Sequence, residues 1–332
     1  SAASDVYKRQ TTSDDAHNAR IVGRGVVGSD ERRNDSLSRL EKSLSTPAMN
    51  LLLTTYSGDA SLEHALAKNV HGRVGINALR QVNDRSGAVR LVPDYELQGG
   101  GVFVYENVVV DKWTFSAGAR ADVRWLDAFL PIGNTSATSE KNRRFFEVSG
   151  VVGTSWTPSE TLNLALNVGT AWRPPQVNEL YSNDVHHGVA YYEIGDTSLQ
   201  SERSVGVDLT STYTVLGVSI ELGVYANLFD NYIYSLPDPA NPTITLRGTF
   251  PTYRFRQARA FIGGADISAT VALSNALNIY AKGSVVRGEE LDRNVPLFLM
   301  PADRLRLGTP VSYTHLRAHE TKANLVCRLL LE

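Results

Sequence analysis

The chain has 332 residues, 42% of them hydrophobic, and a formal net charge of -2. Such a balance gives no basic excess for a nucleic-acid partner, and no stretch reaches the roughly 18 consecutive apolar residues of a membrane-spanning helix. The 26 glycines and 14 tyrosines favour many strands joined by turns, and the single cysteine, Cys327, rules out an intramolecular disulfide.

In chain order, residues 1-10 break the composition of the middle and are set apart as a non-native leader. Residues 11-45 are polar, Arg-rich and weakly periodic, which predicts a loop or a poorly ordered edge. From about residue 46 to 309 the pattern has period two, the spacing of a strand whose successive side chains face opposite ways. Residues 113-125 show it best: Trp113, Phe115, Ala117, Ala119, Ala121, Val123 and Trp125 share one face, and Thr114, Ser116, Gly118, Arg120, Asp122 and Arg124 the other. The split recurs at 162-173 and 218-227, and less cleanly at 261-273 and 277-287. Residues 310-332 again read as a non-native tail; His315 and His319 have the four-residue spacing of some zinc sites but lack the glutamate that would follow the first histidine.

Alternation alone fits a soluble sandwich as well as a barrel, so strand length and connection length decide between them. Runs of about ten to thirteen residues exceed the ordinary strand of five or six and suit a tilted crossing of a bilayer. At about 3.3 Å per residue and a tilt near 40°, Trp113 and Trp125 stand roughly 30 Å apart along the membrane normal, one in each interfacial girdle. Short connections are expected near residues 110-112, 157-160, 215-217 and 274-276, and long ones near 127-144, 174-202, 235-252 and 288-303. Strict short-long alternation is the rhythm of an outer-membrane barrel. Trp113 and Trp156 fall beside short turns, and Trp125 and Trp172 fall where long loops begin. The fold class is therefore all-β, a transmembrane antiparallel β-barrel, with about a dozen strands between residues 46 and 309.

Residues 171-181, Ala-Trp-Arg-Pro-Pro-Gln-Val-Asn-Glu-Leu-Tyr, resemble the aromatic-Arg-x-Pro-x-x-x-Glu-Leu segment of TonB-dependent receptors, where a barrel strand passes into an extracellular loop. Gly195-Asp196-Thr197-Ser198-Leu199-Gln200-Ser201-Glu202 is similar to that family's Gly-Asp/Asn-Pro-Asn-Leu-x-x-Glu return, with Thr197 and Ser198 in place of Pro and Asn. Asp230-Tyr234 and Leu91-Tyr95 resemble a further strand end and a loop return, so the likeness covers roughly residues 85-309. It implies a 22-stranded barrel filled by an N-terminal plug and energised by the TonB complex, embedded in the outer-membrane lipid of a Gram-negative cell. The chain would then be part of a receptor for a scarce nutrient such as a ferric siderophore, haem or zinc. By the same argument a barrel fragment without its plug is expected not to transport by itself, because unpaired strand edges are costly in hydrocarbon. A passive porin-like channel shares the barrel physics, and only the loop motifs and an upstream plug separate the two.

Within the motif, Pro174 and Pro175 cannot extend a ladder and end the strand. Arg173 is placed to reach Glu179 or Glu202 and anchor the loop together with Trp172, Gly195 and Asp196. For ligand binding, His186 and His187 stand in the same loop near Tyr191 and Tyr192, and imidazoles suit zinc, copper, iron or haem. Arg120 and Arg124, with Arg173, Arg254 and Arg256, would instead attract an anionic chelate. No nucleophile elbow, phosphate loop or interpretable carboxylate pair is present, so neither an enzyme nor a bound cofactor is expected.

Overall fold

The computed structural model describes residues 8-13, 19-34, 49-87, 89, 91-132, 137-186, 188-246, 248-274 and 277-309. Its strands are β1 (Lys8–Ser13), β2 (Ala19–Asn34), β3 (Met49–Ala67), β4 (Val70–Ser86), β5 (Asp94–Val110), β6 (Trp113–Pro131), β7 (Thr138–Ser159) and β8 (Leu162–Arg173). They continue as β9 (Asn183–His186), β10 (Tyr191–Ile194), β11 (Glu202–Val215), β12 (Val218–Thr245), β13 (Gly248–Ser274), β14 (Leu277–Glu290), β15 (Val295–Pro296) and β16 (Arg304–Gly308). A five-residue helix, α1 (Val177–Tyr181), lies between β8 and β9. All sixteen strands belong to one sheet, and the long ones pair antiparallel with their neighbours in sequence. In the described residues the sheet is an open arc of barrel wall running from β1 to β16.

The alternation read from the sequence is that of the wall. Phe115, Val102, Val104, Val148, Val152, Leu166, Val207, Leu222 and Ile267 are all exposed on the outward face, where water would penalise them and lipid would not. Register pairs carry this apolar band from strand to strand: Val74 opposes Val104, Val104 opposes Ala119, and Val152 opposes Val168. At the short-turn end Trp113 stacks on its register partner Trp156, ring centroids 5.4 Å apart, as half of an interfacial girdle. A polar pair interrupts the band, His64 Nε2 lying 2.7 Å from Glu106 Oε1. Their strands flank Gly72, where a Cβ would collide with the Glu106 carboxylate.

Two regions differ from the sequence expectation. The segment 11-45, expected to be loop, contains β2 and part of β1, and β2 pairs with β3 in unbroken register from Ala19↔His64 to Asn34↔Met49. Backbone ladders are indifferent to side-chain polarity, so a polar strand beside a well-patterned one is formed without a periodic signal. For the same reason most of the long loops are strand: β6 and β7 pair out to Pro131↔Thr138, and β12 and β13 out to Thr245↔Gly248. A bulge between Phe229 and Tyr232, with Asn231 at φ 56°, marks where that hairpin changes direction. Residues 310-332, the expected non-native tail with His315 and His319, lie outside the described residues.

Candidate functional site

The segment 174-202 crosses from β8 to β13, past β11 and β12, and closes over the mouth at the long-connection end. Pro174 and Pro175 stop β8, and Glu179 then accepts the Gln176 backbone N–H at 2.7 Å, starting α1. Arg173 holds both ends of the segment. Its Nη1 donates to Glu179 Oε2 at 2.9 Å, and its Nε and Nη2 donate to the two Glu202 oxygens at 3.2 and 3.1 Å. Glu202 Oε2 also accepts the Ile233 backbone N–H at 2.8 Å, tying the segment to the bulge of β12. Both carboxylates are buried, so each depends on Arg173 for its compensating charge.

Gly195 lies against the helix end: a Cβ there would stand 2.6 Å from the Leu180 carbonyl carbon and the Tyr181 nitrogen. Its N–H donates to the Ser182 carbonyl at 2.7 Å, and that of Asp196 to the Glu179 carbonyl at 2.8 Å. Asp196 closes the following turn, accepting from the Ser198 N–H at 2.8 Å and the Ser198 hydroxyl at 2.6 Å. Beneath the segment, Leu126, Ala128, Leu180, Tyr181, Leu199 and Ile233 form the main buried apolar cluster of the described residues.

Hairpin β9-β10 reaches furthest and adds in parallel to the edge of β13, Tyr192↔Thr252 to Ile194↔Arg254. The Tyr191 ring stacks on Tyr253 at 4.3 Å and lies 5.6 Å from the His186 ring. Burial pushes the Tyr191 and Tyr192 phenols above their ordinary range, aided by Glu193 at the first and Asp184 at the second. Glu193 is buried and accepts from the Ser182 hydroxyl at 2.8 Å. His186 Nδ1 is buried without a hydrogen-bond partner, and His187 lies outside the described residues. No three His, Cys, Asp or Glu side chains converge as a metal-ligand set among the described residues.

A cavity of about 730 Å³ opens under this cover, lined by Arg120, Asp122, Arg124, Phe145, Trp172 and Arg173. Of its cations, Arg120 is spent on Asp122, at 2.5 and 2.6 Å, and on the Asn77 side-chain oxygen at 2.7 Å. Arg173 is spent on its two glutamates; Arg254, away from the cavity lining, pairs with Asp238 at 3.0 Å. Arg124 makes no ion pair among the described residues and leaves a free guanidinium at the cavity wall.

Two side chains that the sequence did not single out also hold the cover. Arg143 donates to the Thr197 and Leu199 carbonyls at 2.6 Å each, and Gln257 both accepts from the Gln200 N–H and donates to its carbonyl, at 2.9 and 2.7 Å. Side-chain clamps on backbone carry no spacing or motif, so they are not legible in a single sequence.

An apolar-outward arc of long antiparallel strands, with a segment anchored by charge across its long-connection end, is the architecture of a membrane barrel wall. The sequence model of the family "TonB dependent receptor-like, beta-barrel" matches residues 2-324, and the chain belongs to that family. The match takes in most of both end segments that the sequence reading set apart. Among solved structures, the chain is similar to the copper transporter OprC (TM-score 0.65, 14% identity, 88% of this chain and 46% of that one). It is also similar to the FrpB iron transporter from Neisseria meningitidis, F5-1 variant (0.62, 14%, 85% and 43%). A third is the siderophore receptor PiuA from Acinetobacter baumannii (0.59, 12%, 83% and 45%). The chain thus spans just under half the length of these structures.

Proposed function

We propose that the chain forms part of the wall and the lid of an outer-membrane receptor that takes up a metal chelate, driven by the TonB complex acting through a plug region. The observation that carries this reading is the lid: a segment anchored at Arg173, Arg143, Gln257 and the β13 edge over a 730 Å³ cavity whose Arg124 makes no ion pair among the described residues. A passive pore has no need to bury two glutamates to hold its mouth closed. Family membership and neighbours whose names specify copper, iron and siderophore support the same reading. The outward apolar band supports outer-membrane lipid as its surroundings.

Arg124 is the first contact for an anionic chelate, since Arg120 beside it is already neutralised by Asp122. His186, stacked beside Tyr191, is the candidate for transient metal or haem contact, together with His187. The test is uptake of radiolabelled ferric chelate by cells making the receptor that carries this chain, with and without a protonophore. Energy-dependent uptake that falls at least tenfold in Arg124→Ala is expected. Uptake indifferent to the protonophore would instead make the protein a passive channel. Haem and zinc uptake in the His186→Ala/His187→Ala variant separates the histidine role from the arginine role, unchanged uptake removing it.

A further inference from the structure

The β7-β8 ladder stops at Val151↔Gly169, although β7 runs on to Thr138 beside β6 and β8 runs on to Arg173 beside β11. At the point of parting, the Gly150 N–H donates to the Thr170 hydroxyl at 2.9 Å instead of to a backbone carbonyl. Continued register would pair residues 147-150 with 170-173. The Thr170 hydroxyl also donates back to the Gly150 carbonyl at 3.4 Å, so the unbridged stretch is 147-149 opposite 171-173, about 10 Å at about 3.3 Å per residue.

Side chains of opposite faces meet where the ladder ends, and that gap in the ladder is the slit. Glu147 is in register with Asp122 on the lumen face, and Arg203 is in register with Trp172 on the outward face. Their side chains nevertheless meet in a two-point ion pair, Nε to Oε2 and Nη2 to Oε1, both 2.8 Å. A closed ladder would keep side chains of opposite faces apart, so the pair passes between the strands. The outer lip carries Phe146 and Val148, 68% and 63% exposed. The inner lip carries Phe145 and Ser149, which line the same cavity as Arg124. Along β6 the slit lies level with Arg120 to Asp122, between the middle of the apolar band and Trp125. Along β8 it spans Ala171 to Arg173, so it reaches the outer girdle at Trp172, where acyl chains meet headgroups and the Arg203 guanidinium can sit.

We infer that the slit is a lateral port seating the alkyl tail of an amphiphilic anionic chelate. The head lies in the cavity at Arg124, the tail leaves between β7 and β8 into the bilayer, and the Glu147–Arg203 pair is the bolt. This deepens the receptor reading and rests on it for the head group. A tail left in lipid keeps its apolar contacts, whereas one drawn whole into a cavity of this size would displace the head.

The probe is palmitic acid carrying a mid-chain diazirine, added to vesicles of the receptor that carries this chain and photolysed, with labelled residues mapped by mass spectrometry. In a Glu147→Cys/Arg203→Cys variant the two positions are joined by a reducible bis-methanethiosulfonate linker, and retained heat-modifiable mobility shows that the barrel is intact. Palmitate is expected to label Phe145 and Ser149, at least tenfold less with the linker in place and again fully after reduction. Label confined to Phe146 and Val148, or indifferent to the linker, overturns the port. Equal inner-face labelling by a phosphatidylethanolamine bearing the same tail also overturns it, since the slit would then admit bulk lipid. Uptake of a ferric chelate without a tail is measured in parallel. If it persists while palmitate never reaches the inner lip, the port alone fails; inner-lip labelling without energy-dependent uptake removes the transport reading alone.

Discussion

Along the single strand β6, Phe115 on the outward face is 47% exposed, while Leu126 and Ala128, on the lumen face near the mouth, are at most 1% exposed. The lower part belongs to a wall that turns its apolar side chains away from the protein and relies on ladder hydrogen bonds and on the lipid it faces. The upper part belongs to a mouth that packs like a small soluble domain, with an apolar cluster beneath α1 and buried carboxylates beside it. One strand thus serves two solvents, and substitutions of the same chemical kind should act differently at its two ends.

The sharpest way to break that comparison is at Arg173. Replacing it by Met leaves Glu179 and Glu202 buried without a countercharge, a loss of about 3 to 5 kcal/mol for a buried pair broken on one side. The loss should fall on the lid alone: hydrogen exchange and protease nicking within residues 174-202 rise steeply, while the midpoint of barrel unfolding in vesicles stays put. A matching fall in that midpoint would show that lid and wall are one cooperative unit. Next in size is a charge on the outward face. Val104→Arg should destabilise the inserted barrel by about 2 to 4 kcal/mol, as arginine does near a bilayer midplane. Ser268→Arg, on the lumen face across from Glu221, should leave insertion nearly unchanged. Equal effects at the two positions would mean that the faces have been assigned wrongly. The smallest effect is one of pH, at the tall β12-β13 hairpin. The Asn241 amide and the Arg254 guanidinium hold the Asp238 carboxyl below its ordinary range. Its contribution is therefore complete above the ordinary aspartate value and disappears as pH falls through the lower, folded value. The Asp238 carboxyl resonance, followed by NMR titration, should move upward in Arg254→Ala, and no movement would detach the hairpin from this pair.

The wall was legible because alternation and lipid exposure are the same fact: Trp113, Phe115 and Val123 in sequence are the outward row in space. The anchoring of the mouth was legible only as motif, through Arg173, Glu179 and Glu202. Strand β2 and the outer reaches of β12 and β13 escaped, since polar residues above or beside a membrane can extend a ladder without any two-residue pattern. Arg143, Gln257 and the Glu147–Arg203 bolt escaped for another reason. Each joins residues more than fifty positions apart through contacts that depend on where two strands part, which no local spacing encodes. His64 and Glu106 are the converse case, polar residues on the face that alternation assigns to lipid.

The parallel docking of β10 on β13 also sets an order of assembly. Tyr192 cannot find Thr252 until the chain between them has formed β11 and β12 and returned along the wall. Hairpin β9-β10 is local and quick to form, but its berth is among the most non-local pairings in the sheet, the kind that is made late. On that ground the cavity is expected to be solvated first and roofed last, the mouth closing only after the wall on both sides exists.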